Sequence, residues 1–157
     1  MADYHLAQVN IGIIRAPLDS PVMAGFVNRL DEINALADAA LGFVWRLQTD
    51  EGNATSIHVF DNEFLLINMS VWESVEALYE YVYQSAHSEL IKGRRDWFEK
   101  MDTPIMTLWW IPAGHIPTPE EAKQRLAHLE QHGPTPLAFT FRQRFTAEEM
   151  LATTSKV

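Results

Sequence analysis

The sequence predicts an α+β fold, a ferredoxin-like antiparallel sheet with helices on one face. Three observations carry this. Apolar residues alternate or run together in short stretches of strand length, as in YHLAQVNIGII (residues 4–14) and FLLINMSVW (residues 64–72). Between these stretches the apolar spacing is helical, with start signals at Ser20-Pro21, Ser74 and Thr118-Pro119. The resulting order, β α β (β) β α β α β, contains the strand–helix–strand unit twice.

The elements follow in order. In the first strand His5, Ala7, Val9 and Ile11 take one face, and Leu6, Gln8, Asn10 and Gly12 the other. Ser20 is placed to cap a helix with Pro21 at its first position, where a missing N–H costs nothing. Met23, Phe26, Val27, Leu30, Ile33 and Ala37 form its stripe, which ends near Gly42. GFVWRLQ (residues 42–48) reads as a second strand, and TSIHVF (residues 55–60) as an extension or edge strand. In the third strand Leu65, Ile67, Met69 and Val71 share one face; Phe64, Leu66, Asn68, Ser70 and Trp72 share the other. Both faces are largely apolar, so both need cover.

A long helical region follows Ser74, with a break near Gln84-Ser85-Ala86. In its second part His87, Leu90, Ile91, Arg94, Phe98 and Met101 fall on one helical face. IMTLWWI (residues 105–111) is a fourth strand. Thr118-Pro119-Glu120-Glu121 is a capping box for a helix that stops at Gly133-Pro134. LAFTF (residues 137–141) is a last strand, and residues 146–150 form a short helix. The chain reads as one domain over residues 1–145 with a C-terminal tail, 146–157. The economical cover for the second sheet face is another copy of the chain, giving a two-fold homodimer.

Composition narrows the function. The 157 residues suit one domain. A formal net charge of −9 argues against a nucleic-acid surface, which needs clustered Lys and Arg, and against an anionic membrane. There are no cysteines, which removes disulfides, thiolate catalysis and Cys-ligated metals. No secretory signal and no membrane-spanning run is present, so a soluble, cytoplasmic protein is expected. G-x-G-x-x-G, G-x-x-x-x-G-K-[ST] and G-x-S-x-G are all missing, leaving nucleotide-cofactor and serine-hydrolase readings without support.

VWES (residues 71–74), SAH (85–87), RRDWF (94–98), LWWIPAGHIPTPEEA (108–122) and HGPTPLAFTF (132–141) resemble the family called domain of unknown function 3291. The resemblance implies a dimeric α/β barrel, the superfamily that also holds the antibiotic-biosynthesis monooxygenases. It implies no activity. The haem-degrading monooxygenases of that superfamily are a more distant likeness. They use a first-strand asparagine, a tryptophan after a central strand, and a helical histidine that ligates haem iron. Asn10, Trp72 and His87 stand in the same order here, with a wider separation between Trp72 and His87.

Catalytic candidates are therefore His87, as a general base or, if haem binds, its metal ligand, with Asn10 and Trp72. A core histidine is the competing reading of His87. Arg94 or Arg95 would bind a propionate, phosphate or carboxylate, or else pair with nearby acids. Trp109 and Trp110 are adjacent on a strand and so face opposite sides, one to line a pocket and the other to pack in the dimer interface, with core filling the better reading for at least one of them. Asn68 is an amide in an apolar strand that orients a ligand or bridges to backbone or a buried water, and His115 lies in a loop where it either reaches a pocket mouth or only stabilises that loop. His128 and His132 close a helix, where a cation suits the dipole. The functional expectation is a small-molecule-binding protein, monooxygenase-like and cofactor-light or haem-associated, acting on a flat hydrophobic substrate. The alternative is a non-catalytic module that captures a small anionic ligand.

Overall fold

The structure is a computed structural model and describes residues 3–47, 65–84, 97–101 and 103–154. Its sheet is built around a central strand, β1 (Tyr4–Ile14). β2 (Phe43–Arg46) pairs with β3 (Leu65–Trp72), and β3 lies antiparallel to β1. The other side of β1 is shared by β4 (Phe98–Glu99), opposite Ile13 and Ile14, and β5 (Met106–Pro112), opposite residues 4–10. The path β2–β3–β1–β5 is the ferredoxin-like order, so the α+β class read from the element pattern holds.

The first helix opens with a 3₁₀ turn at Pro21–Met23 and continues as α1 (Ala24–Asp38). Ser20 occupies the cap position, but its hydroxyl makes no capping bond. Pro21 starts the turn through its backbone restriction alone. α2 spans Val75–Gln84, with the Ser74 hydroxyl accepting from the Ala77 amide at 3.1 Å. α3 (Pro119–His132) begins where the capping box places it, the Thr118 hydroxyl accepting from the Glu121 amide at 3.1 Å. α4 (Ala147–Thr154) carries a full reciprocal box between Thr146 and Glu149. Gly42 has φ +82°, and a Cβ there would lie 2.5 Å from the Ala77 Cβ, so α2 sits against bare backbone at this turn.

Strand alternation divides the side chains between two layers. On one face Leu6, Trp72 and Leu108 pack with Ala37 of α1, Val75 and Leu78 of α2, and Phe139. Farther along the same face a second cluster joins Ile14, Met23 and Leu66 with Phe26, Trp97 and Phe98. On the opposite face Ala7, Val9, Ile11, Met69, Val71, Trp109 and Ile111 pack against Ala122 and Leu126 of α3. α1 and α2 thus share a face, and α3, which follows the ferredoxin-like unit, lies across the other. Both strand faces are apolar because both are covered within one chain. On the sheet face where a second copy was expected to stack, α3 packs through Ala122 and Leu126.

Two expected elements take another form. Phe98 and Met101 were expected on the helical face begun by His87, yet Phe98 lies in β4 and bonds across to Ile14. The reason is β1, whose last residues extend past β5. β4 completes their ladder, and the Phe98 ring covers Gly12, where a Cβ would lie 2.5 Å from it. Residues 137–141 give a bridge, Leu108↔Phe139, between tight turns at Thr135↔Ala138 and Thr140↔Gln143. The expected strand over residues 55–60, and His87, Arg94 and Arg95, lie outside the described residues.

Candidate functional site

Between the two apolar clusters on the α1/α2 face, β1 and β3 carry a band of polar side chains. Register produces it. Gln8 pairs with Ser70 and Asn10 with Asn68, and cross-strand partners point to the same side. Gln8 is the hub, with its Nε2 donating to Asn68 Oδ1 at 2.9 Å and to Ser70 Oγ at 2.8 Å. Its Oε1 accepts from Asn10 Nδ2 at 3.3 Å. Asn10 Nδ2 also donates to Asn68 Oδ1 at 3.2 Å, and Trp72 Nε1 donates to Ser70 Oγ at 2.8 Å.

The band runs from a closed end to an open one. Trp72 is 0% exposed, Gln8 5% and Ser70 7%, whereas Asn10 is half-buried and Asn68 exposed. Aromatic rings close the deep end: Tyr81 stacks on Trp72 with centroids 5.1 Å apart, and Phe43 meets it edge-on at 5.4 Å. The Tyr81 hydroxyl donates to the Ile33 carbonyl at 3.0 Å, and burial raises its pKa well above the ordinary phenol value. Tyr81 therefore stays a neutral donor. Arg46, opposite Ser70 in the β2–β3 register, is held by Asp38 through Nε at 2.8 Å.

Three hydrogen-bonding positions remain unused within the described residues. Ser70 Oγ accepts twice, which leaves its own O–H without an acceptor. Asn68 uses only its oxygen, leaving the Nδ2 donors. Asn10 uses only its nitrogen, leaving the Oδ1 acceptor. The band is uncharged. Ser70 has no base beside it among its bonded partners, so the band is suited to holding and orienting a neutral polar group rather than to nucleophilic attack.

The family model described as Domain of unknown function (DUF3291) matches residues 5–155. The chain belongs to that family. No curated protein sequence matches it. Among solved structures, a variant of SnoaB, a cofactor-independent oxygenase from Streptomyces nogalater, is 13% identical, with a TM-score of 0.47 over 71% of this chain and 95% of that one. A protein of unknown function from Nitrosomonas europaea is 10% identical, with a TM-score of 0.45 over 76% and 98%. Both likenesses concern the path of the chain and not its chemistry.

In this family member the structure brings together Asn10, Asn68 and Trp72 and separates them from the other candidates. Trp109 faces α3, fully buried, and its Nε1 donates to Glu121 Oε2 at 2.9 Å. His115 Nε2 lies 2.8 Å from the other oxygen of that carboxylate. The pair ties the loop to α3 on the face away from the band, and the Glu121 side chain serves this tie while its backbone is capped by Thr118. Trp110 is on the band's side of the sheet but beyond Leu6. Its Nε1 donates to the Phe145 carbonyl at 2.8 Å, and it lines an open groove with Tyr4, Val75, Phe145 and Leu151. Gln8 and Ser70 were not singled out from the sequence, although alternation already placed them on the faces of Asn10 and Asn68. Among the described residues no cluster of His, Asp and Glu could hold a metal ion, and no helix is long and apolar enough to cross a membrane.

At His128 the dipole reading is corrected. The His128 pKa is lowered by burial first, then by His132, 4.5 Å away between ring centroids, and by Arg125. Its neutral ring also meets Thr135 Oγ1 at 3.0 Å. A lowered folded-state pKa means that the folded chain binds fewer protons than the unfolded one below the ordinary histidine value. The contribution is complete above about pH 6.5 and is lost as pH falls through the lowered value. The melting temperature of the parent chain should therefore fall more steeply between pH 7 and 5 than that of His128→Gln. Parallel curves would show that this histidine does not sense the change.

Proposed function

We propose that the chain is a small-molecule-binding protein of the dimeric α/β barrel superfamily, with its site at the Gln8–Asn10–Asn68–Ser70 band and a flat, largely hydrophobic ligand. The single observation behind this reading is a pre-ordered polar network, set between two apolar clusters, with three hydrogen-bonding positions unused. Polar groups flanked by apolar surface are costly unless satisfied, and a ligand that answers them gains orientation as well as affinity. In this reading Asn10 and Asn68 orient the ligand and Trp72 forms the closed end. Monooxygenase-like turnover belongs to the proposal, with His87 as the base that completes it.

The described side chains do not fit haem. The band holds no imidazole, and Arg46, the cation beside it, is engaged by Asp38. The anion-capture alternative rests on Arg94 and Arg95, which lie outside the described residues. A homodimer stays in the proposal, in the cytoplasm and with contacts that leave α3 in place.

Nile red, a neutral flat dye, tests the site. Saturable binding to the full chain, weakened at least tenfold in Asn10→Leu/Asn68→Leu, supports it. Binding that is unchanged in the variant, or never saturates, removes it. Oxygen uptake with a bound substrate, lost in His87→Ala while dye binding persists, separates turnover from capture.

A further inference from the structure

We infer that the band selects an uncharged ligand whose edge carries a carbonyl acceptor next to an N–H or O–H donor, as in a lactam. This rests on the proposed site and names the chemistry it takes. The unused groups have a definite pattern. Asn68 Nδ2 and the Ser70 hydroxyl are donors, so they call for an acceptor. Asn10 Oδ1 is an acceptor, so it calls for a donor. Asn10 and Asn68 are directly opposed across the β1–β3 pair, and one bond already joins their amides, so the two ligand groups that answer them lie on one edge.

The internal bonds hold this pattern in place. Asn68 Oδ1 receives both the Gln8 and the Asn10 nitrogens, so turning the Asn68 amide over would set donor against donor twice. Turning Asn10 would break its bonds to Gln8 and Asn68 together. Gln8, almost fully buried, keeps Ser70 when turned, because the hydroxyl then donates to it, but it would set oxygen against Asn68 Oδ1 and nitrogen against Asn10 Nδ2. It turns only if both asparagines turn with it, which again leaves one of them a donor and the other an acceptor. A carboxylate or phosphate offers acceptors only. It would answer Ser70 and Asn68 but set an anion against Asn10 Oδ1, and among the described residues the cation beside the band, Arg46, is engaged by Asp38. An ether or ester without a donor would leave Asn10 Oδ1 unmet. A cis lactam answers both sides.

Calorimetric titration of the full chain with three probes of one size tests the inference. 2-Quinolone carries the carbonyl and the N–H, 2-methoxyquinoline lacks the donor, and quinoline-2-carboxylate is anionic. The expected result is that 2-quinolone binds at least tenfold more tightly than either of the others. Asn68→Asp, which keeps the oxygen that Gln8 and Asn10 use but puts a charged acceptor oxygen in place of the Nδ2 donors at an exposed position, should weaken 2-quinolone at least tenfold with the melting temperature little changed. Absence of 2-quinolone binding, equal affinity for all three, preference for the carboxylate, or indifference to Asn68→Asp overturns the inference. The Nile red result stands apart from these outcomes: dye that binds at the band while 2-quinolone shows no preference leaves the site and removes only the lactam edge.

Discussion

Trp72→Ala should lower the unfolding free energy by about 3–5 kcal/mol, the range for truncating a buried large aromatic. Trp72 is fully buried, and its ring is held by Tyr81 on its face and Phe43 at its edge. The cavity left behind would lie between β1, β3 and α2, where Leu6, Leu78 and Leu108 are already locked against other partners and have little room to collapse into it. The substitution also removes the Nε1–H donor to Ser70, loosening the deep end of the band. Trp72→Phe isolates that second effect, because most of the ring volume stays. It should cost clearly less than Trp72→Ala while still weakening Nile red. Urea unfolding of the three chains checks both statements. A loss under about 1 kcal/mol for Trp72→Ala would mean that the ring is not the keystone of this cluster.

Gln8→Leu should cost about 1–3 kcal/mol and weaken ligand binding at the band at least tenfold. The stability loss arises from the partners left behind. Asn68 and Ser70 each lose a donor, and Asn10 loses an acceptor, in a part of the sheet that is nearly dry at Ser70. The binding loss has a different cause, since the Asn10 and Asn68 amides would be free to turn and the donor–acceptor pattern would no longer be preset. Pairing Gln8→Leu with Asn68→Ala in a double-mutant cycle measures the coupling, expected at about 0.5–3 kcal/mol for contacting members of one network. Additive effects would show that the band is a set of independent polar groups.

Much of the frame was legible from local chemistry. Thr118-Pro119 starts α3 because a hydroxyl and a proline act on their own backbone neighbours, and period-two alternation sorted Gln8 with Asn10 and Asn68 with Ser70 and Trp72 for the same local reason. The helical face through His87 was extended too far. Its spacing ran on to Phe98 and Met101, but spacing alone cannot register that the end of β1 lacks a partner until residues distant in the chain are brought beside it.

By itself, then, the sequence determined which residues share a face, where helices begin, and that both sides of the sheet require cover. Only the tertiary structure decided that α3 packs on the second face, that Trp109 and His115 belong to its attachment, and that Asn10 meets Asn68 across the strands with Gln8 between them and Ser70. Faces follow from each residue's own backbone. Pairings depend on register between strands some sixty residues apart, as in the Gln8–Asn68 and Gln8–Ser70 bonds, and are set by the packing of the whole core.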